Sequence, residues 1–232
     1  MREVLVWDLP TRLFHWLLFG SVVLAYFTAE GEGLVHQVHV AAGYGVGVLL
    51  LFRLIWGVLG GRHARFDDFA RNLRQLPGYL PGLLRLSPRR FVGHNPLGVV
   101  MIAAMVATLV GVLWTGLYGG EELHETLGNL IVILAVIHVL GVVADSLLTG
   151  ENLVSAMITG RKRLADRDAA DETGTAPASW RSLAAAALTA VVTLGAFQQS
   201  ETLKWPPSTE GEIEAEEQHD EGGDEHHYED DD

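Results

Sequence analysis

The chain has 232 residues, 49% of them hydrophobic, and a formal net charge of −13. These properties separate along the chain: residues 201–232 hold fourteen acidic residues against one base, Lys204, while the first 200 residues are balanced. There is no cysteine, which excludes disulfides, thiolate zinc sites, iron–sulfur ligation and covalent attachment of haem, and a neutral apolar body is not a nucleic-acid binder.

Five apolar segments follow in chain order, at about 13–29, 36–59, 97–118, 123–148 and 182–199. Each is close to the ~20 residues that cross a bilayer core as a helix. The first is the shortest, and the fifth is Ala-rich and the least hydrophobic. The Trp7–Pro10 preamble and the histidine inside the first run argue against a cleaved signal peptide. Between the second and third segments lie Arg62, Arg65, Arg71, Arg74, Arg85, Arg89 and Arg90. Between the fourth and fifth lie Arg161, Lys162, Arg163, Arg167 and Arg181. The opposite loops carry only acids, Glu30 and Glu32, then Glu121 and Glu122. The positive-inside rule predicts a cytoplasmic N-terminus, both basic loops inside, and an acidic tail on the outer face of the membrane.

Four histidines sit within these segments, three near their starts and one deeper inside: His15, His39, His124 and His138. An ionisable side chain inside a bilayer is costly unless something binds it. His124 and His138 are fourteen residues apart on one segment, roughly 21 Å along a helix and nearly on one face. Chain direction places His15 and His138 toward the inside, and His39 and His124 toward the outside. Two stacked haems, each held between two helices, fit that arrangement. A haem with two histidine ligands has no open position, so it passes electrons and does not bind oxygen. The plainer reading is four packed, hydrogen-bonding histidines; matched depths favour ligation. His36, three residues before His39, competes with it but lies nearer water. Gly43, Gly45 and Gly47 after His39 leave room for a flat macrocycle or for ordinary close packing. Arg12 and Arg53 are placed to meet the propionates of the inner group; the outer group has no basic partner, and its propionates face water or a hydroxyl such as that of Tyr44.

The motifs are also familiar. "VWDLPTRLFHWLL", "HVAAGYGVGVLLLFRLIWGVLGGRHARF", "FVGHNPLG", "ELHETLGNL…IHVLG" and "ENLVSAMITGRK" occur in order over residues 4–163. Together they resemble bacterial cytochrome b561 and the b-type cytochrome subunit of nickel–iron hydrogenases. The resemblance implies a four-helix core holding haem b. Its ligand positions match His15, His39, His124 and His138, and since all four are filled, two haems are expected. It also carries the histidine of "GHNPLG", His94, as a quinone or propionate contact or as part of a structural cap. Asn95 and Pro96 read as a helix start, with Asn as cap and Pro in the first turn.

The expected fold is an all-α membrane protein: a four-helix transmembrane haem-binding bundle, a fifth transmembrane helix and a disordered acidic tail. The domains are 1–165 (haem domain), 166–181 (cytoplasmic linker), 182–199 (fifth helix) and 200–232 (periplasmic tail). The leading functional expectation is a di-haem relay in a respiratory chain, between the quinone pool and a periplasmic redox partner such as a c-type cytochrome. The acidic tail would steer a cationic partner, or serve solubility alone; weak metal capture by His219, His226 and His227 is the remotest reading. Quinol chemistry at the chain itself and pure relay both remain open. A second expectation is the membrane-anchor subunit of a hydrogenase or similar enzyme. A third, of another class, is a histidine-lined cation transporter, which would be colourless.

Overall fold

In the computed structural model, residues 2–164 and 180–199 are described, and the acidic tail expected at 200–232 lies outside them. The helices begin where the sequence supplies caps. Helix α1 (Leu9–Phe27) starts at Asp8, whose carboxylate accepts the Thr11 amide at 2.9 Å, with Pro10 in the first turn. Helix α2 (Leu34–Leu59) starts after Gly33 and ends at Gly60. A 3-10 turn at Arg62–Ala64 leads into two short helices, α3 (Phe66–Leu73) and α4 (Leu76–Leu84). Helix α5 (Pro96–Tyr118) is capped by Asn95, which accepts the Gly98 amide at 2.7 Å, as expected from the sequence.

Gly119 (φ 93°) and Gly120 (φ 113°) turn the chain sharply into α6 (Glu121–Thr149). Both torsions lie where a side chain would be strained. Glu121 and Glu122 stand in the first turn of α6, where the helix dipole favours negative charge. Helix α7 (Leu153–Thr159), capped by Asn152, is followed by a strand the sequence did not suggest. That strand, β2 (Arg161–Leu164), pairs antiparallel with β1 (Arg2–Leu5), Arg2 opposite Leu164. The last described helix is α8 (Trp180–Gln199); the compact body ends at Val191, within it.

Helices α1 and α2 pack along each other, as do α5 and α6, and α2 also meets α5. Val46 and Leu50 of α2, Leu109 of α5 and Ile131 of α6 form the buried centre, flanked by Leu18 and Val22 of α1. That is a four-helix bundle. Its outside is apolar too: Leu17, Val110, Ile133, Val136 and Leu140 are all exposed. A helix that is hydrophobic all round needs an apolar solvent. Among the described residues three helices, α2, α5 and α6, are long and apolar enough to cross a membrane. The first and fifth expected spans are weaker. In α1, Pro10, Arg12, His15 and Trp16 dilute the apolar content of a 19-residue helix. In α8, the apolar described stretch is only Trp180–Leu194.

Candidate functional site

The outer pair is assembled directly. His39, from the first turns of α2, and His124, from the first turn of α6, have ring centroids 6.0 Å apart at an interplanar angle of 75°. Each ring is tied down at one nitrogen. His39 Nδ1 lies 2.8 Å from the carbonyl oxygen of Ala25, and His124 Nδ1 lies 3.0 Å from that of Val112. A carbonyl oxygen can only accept, so both Nδ1 atoms are the protonated donors, and in the neutral ring this tautomer carries its lone pair on Nε2. Metal-ligating histidines are oriented in this way. The Thr115 hydroxyl lies 3.3 Å from His124 Nδ1. A Cβ on Gly116 would come within 3.0 Å of the His124 ring, so that glycine is what gives the ring its place. His36 stacks on His39 at 6.2 Å but is exposed, while His39 is partly buried.

The inner pair is His15 of α1 and His138 of α6, whose imidazoles lie within electrostatic reach of each other. His15 packs edge-on against Trp16 at 5.1 Å, and its Nδ1 is buried with no hydrogen-bond partner among the described residues. The same holds for Arg12 Nε, Arg53 Nη1 and His94 Nδ1. Arg12 spends one nitrogen, Nη1, on the Ile158 carbonyl at 2.6 Å. Arg53 is buried over the rings of Phe66 (5.4 Å) and Phe69 (5.1 Å). An unpartnered buried polar atom costs about 1–3 kcal/mol. Four of them at the end of the bundle that carries the inner pair fit a group with hydrogen-bonding side chains of its own. A porphyrin with carboxylate side chains has that chemistry. Tyr44 is half-buried on α2, one helical turn and a little more beyond His39.

His94 sits in an aromatic cage, 4.5 Å from Trp7 and 5.0 Å from Phe69, and its carbonyl accepts from Asn72. Burial, and then the positive charges of Arg53 and Lys162, lower its pKa from 6.5 to about 3, so the ring is neutral. Beside it, His63 Nδ1 and Asp68 Oδ2 are 3.3 Å apart, and Arg71 holds the other carboxylate oxygen at 3.0 Å. Burial resists ionisation of Asp68, but the bonds to His63 and Arg71 outweigh it, and its pKa lies below the usual carboxylate range.

Two arrangements went unnoticed in the sequence. Asp8 joins α1 to α2 by accepting from Trp56 Nε1 (3.3 Å) and the Gly61 amide (3.2 Å) as well as capping α1. An acid just ahead of Leu-Pro signalled the cap, but nothing local signalled the distant partners. Lys162, counted among the basic loop charges, is buried against Glu151 at 3.3 Å and donates to the Phe91 carbonyl at 3.2 Å. Burial lowers its pKa, against the pull of Glu151. Among the described residues no cluster of three or more His, Cys, Asp or Glu side chains could hold a free metal ion.

The family model for prokaryotic cytochrome b561 matches residues 6–160, which include all four histidines and most of the described body. The chain belongs to the prokaryotic cytochrome b561 family. Membership makes this b561-family protein a membrane cytochrome of the b type, an electron carrier with haem b. Its relatives include a protein of Rhizobium leguminosarum bv. viciae described as "Probable Ni/Fe-hydrogenase B-type cytochrome subunit", 25% identical over 72% of this chain and 92% of its own length. Proteins with the same description match from Rhodobacter capsulatus (27% identical, 71% of this chain and 83% of the relative) and Azotobacter vinelandii (24%, 70% and 90%). No solved structure matches the chain.

Proposed function

We propose that this b561-family cytochrome is the membrane subunit of a hydrogenase or a related periplasmic redox enzyme, carrying electrons between the docked enzyme and membrane quinone through two haem b groups. The observation that carries the reading is the pair His39 and His124. Two imidazoles bonded to one metal through bonds of about 2 Å have ring centroids about 6 Å apart, and these stand at 6.0 Å with each Nδ1 anchored to a carbonyl. The descriptions of the relatives, which cover nearly their whole length, favour an enzyme-bound role.

In this reading His39 and His124 hold the outer iron, and His15 and His138 the inner one. The Ala25 and Val112 carbonyls fix the tautomer and plane of the outer ligands. Arg12 and Arg53 offer their unpartnered nitrogens to the inner propionates, and Tyr44 its hydroxyl to the outer group. When bound, each haem supplies a one-electron iron couple. The chain's own part would be to exclude water and to offer two imidazoles to each group, at two levels of α6 set by the fourteen residues between His124 and His138, roughly 21 Å of helix rise. His94, neutral and caged beside cations, is available to accept a hydrogen bond from a quinol or to order a propionate. The N-terminus and basic loops are cytoplasmic, so the inner pair is the one nearer the cytoplasm.

Absorption spectra and a haem-to-protein ratio test this. The expected result is reduced α-bands and two haems per chain, with His→Ala at any one of the four positions removing one haem and leaving the other. A protein without haem, as the cation-transporter reading requires, would overturn the assignment; a ratio of one would remove the two-level relay.

The charge of residues 201–232, −13 in all, favours a second reading in which a mobile cationic c-type cytochrome is the periplasmic partner. Copurification in mild detergent separates the two: a docked enzyme comes with the cytochrome, and a mobile carrier does not.

A further inference from the structure

Helix α4 and the turn after it present an unusual surface. Tyr79 is buried and meets the Phe91 ring at 5.7 Å, which fixes this helix against the chain leading into α5. Leu80 and Leu84, one helical turn apart, point the other way and are 41% and 84% exposed. The helix then closes with Ser87 N–H donating to the Gly82 carbonyl (2.9 Å) and Leu86 N–H to Leu83 (2.9 Å). At this closing position the chain needs a left-handed residue, and glycine is the usual one. Here it is Leu86, at φ 55° and 72% exposed; no other residue among those described has positive φ except glycines. A leucine kept in a strained conformation with its side chain in the open gains nothing from water. It gains only if that side chain enters an apolar medium.

Charge surrounds these leucines. Arg74, Arg85, Arg89 and Arg90 are exposed, and none takes part in an ion pair among the described residues. The acids of this connection, Asp67 and Asp68, are already engaged by Arg65, Arg71 and His63. Exposed apolar side chains with unpaired cations before and after them in the chain, at the end of a membrane-spanning bundle, match the boundary between acyl chains and anionic headgroups.

We propose that α4 and its closing turn form an interfacial anchor. Leu80, Leu84 and Leu86 enter the acyl boundary of the adjoining leaflet, and Arg74, Arg85, Arg89 and Arg90 bind phosphates of anionic phospholipid. The inference rests on the chain being a membrane protein, and not on the haem assignment or on which side is cytoplasmic. The arginine effect on partition is roughly fivefold per residue near an anionic surface.

The chain has no cysteine, so a single introduced thiol reports cleanly. Leu84→Cys and Leu86→Cys, carrying a polarity-sensitive fluorophore, are placed in lipid discs of phosphatidylcholine alone or with phosphatidylglycerol, in the full-length holoprotein. Unchanged haem bands certify the fold. The expected result is blue-shifted emission quenched by brominated acyl chains, stronger with phosphatidylglycerol. Changing the four arginines to glutamine should abolish the dependence on phosphatidylglycerol. Emission typical of water in both lipids overturns the anchor. So does a blue shift that brominated lipid leaves unquenched, because the probe would then be covered by protein. Quenching that is indifferent to phosphatidylglycerol and to the arginine changes overturns the headgroup pairing.

Discussion

At the scale of single residues, the rings of the outer pair are held by main-chain atoms. His39 and His124 each give one nitrogen to a carbonyl of a neighbouring helix, Ala25 of α1 and Val112 of α5. Side-chain substitution cannot remove those acceptors, but it can crowd the ring. Gly116→Ala would set a methyl group 3.0 Å from His124 and force it to shift by a few tenths of an ångström. In the proposed two-haem arrangement, the expected outcome is a changed spectrum and potential for the haem held by His124 with the other haem unaltered, read by redox titration. His94 yields a pH prediction. The unfolded chain takes up a proton on this histidine near 6.5, and the folded chain refuses it until about 3. The unfolded state therefore binds more protons throughout that window, and stability is lost as pH falls. Its contribution is complete above 6.5. Melting temperature in detergent should decline with acidification below 6.5, and His94→Gln should flatten the decline. The loss that remains at lower pH belongs to Asp68, whose depressed pKa makes its contribution fully present above 3.8 and lost as acid protonates it.

Among the elements, the connections decide more than the spans. Asp8 caps α1 and bonds Trp56 and Gly61 at the far end of α2, so one carboxylate closes the α1–α2 pair. Asp8→Ala removes a cap, worth about 1 kcal/mol, and strands the buried Trp56 N–H, at about 1–3 kcal/mol; Trp56 keeps a 3.2 Å contact with Thr11 Oγ1, which favours the lower part of that range. Thermal unfolding followed by haem absorbance should show this loss. At the other end, Gly119 and Gly120 turn α5 into α6 at torsions that a side chain resists. Alanine at either position should destabilise the fold by about 1 kcal/mol, and since the turn leads directly to His124, outer-haem occupancy should fall first. The sequence marked this connection only as a short acidic loop, Glu121 and Glu122, between the third and fourth apolar segments. It gave no sign of β1 and β2, because four-residue strands of mixed charge have no periodicity to read.

For the whole molecule, the medium settles the architecture. The interior is small, Val46, Leu50, Leu109 and Ile131 with a few neighbours, while long leucine and valine rows face outward. In water that distribution would aggregate; in lipid it costs nothing, and polar groups and backbone satisfaction carry specificity instead. The whole-molecule prediction concerns company. Isolated in mild detergent from cells making a periplasmic hydrogenase, the cytochrome is expected to bring the enzyme's subunits with it, and removing residues 201–232 is expected to leave that association intact. Loss of association on removing the tail would move the partner's contact to the acidic segment and favour the steering role.

The sequence by itself determined that this is an apolar helical bundle with its acidity gathered in residues 201–232, and where α5 begins, because composition and caps act locally. It also carried the family resemblance, through ordered motifs. Only the tertiary structure decided which atoms meet. It brought His39 to His124 with each Nδ1 on a carbonyl, buried Arg53 over two phenyl rings, turned Lys162 from a loop charge into a buried partner of Glu151, and tied Asp8 to a tryptophan 48 residues away. Those contacts join residues distant in the chain, and a one-dimensional pattern records helix faces and charges but not the neighbour that a face will find.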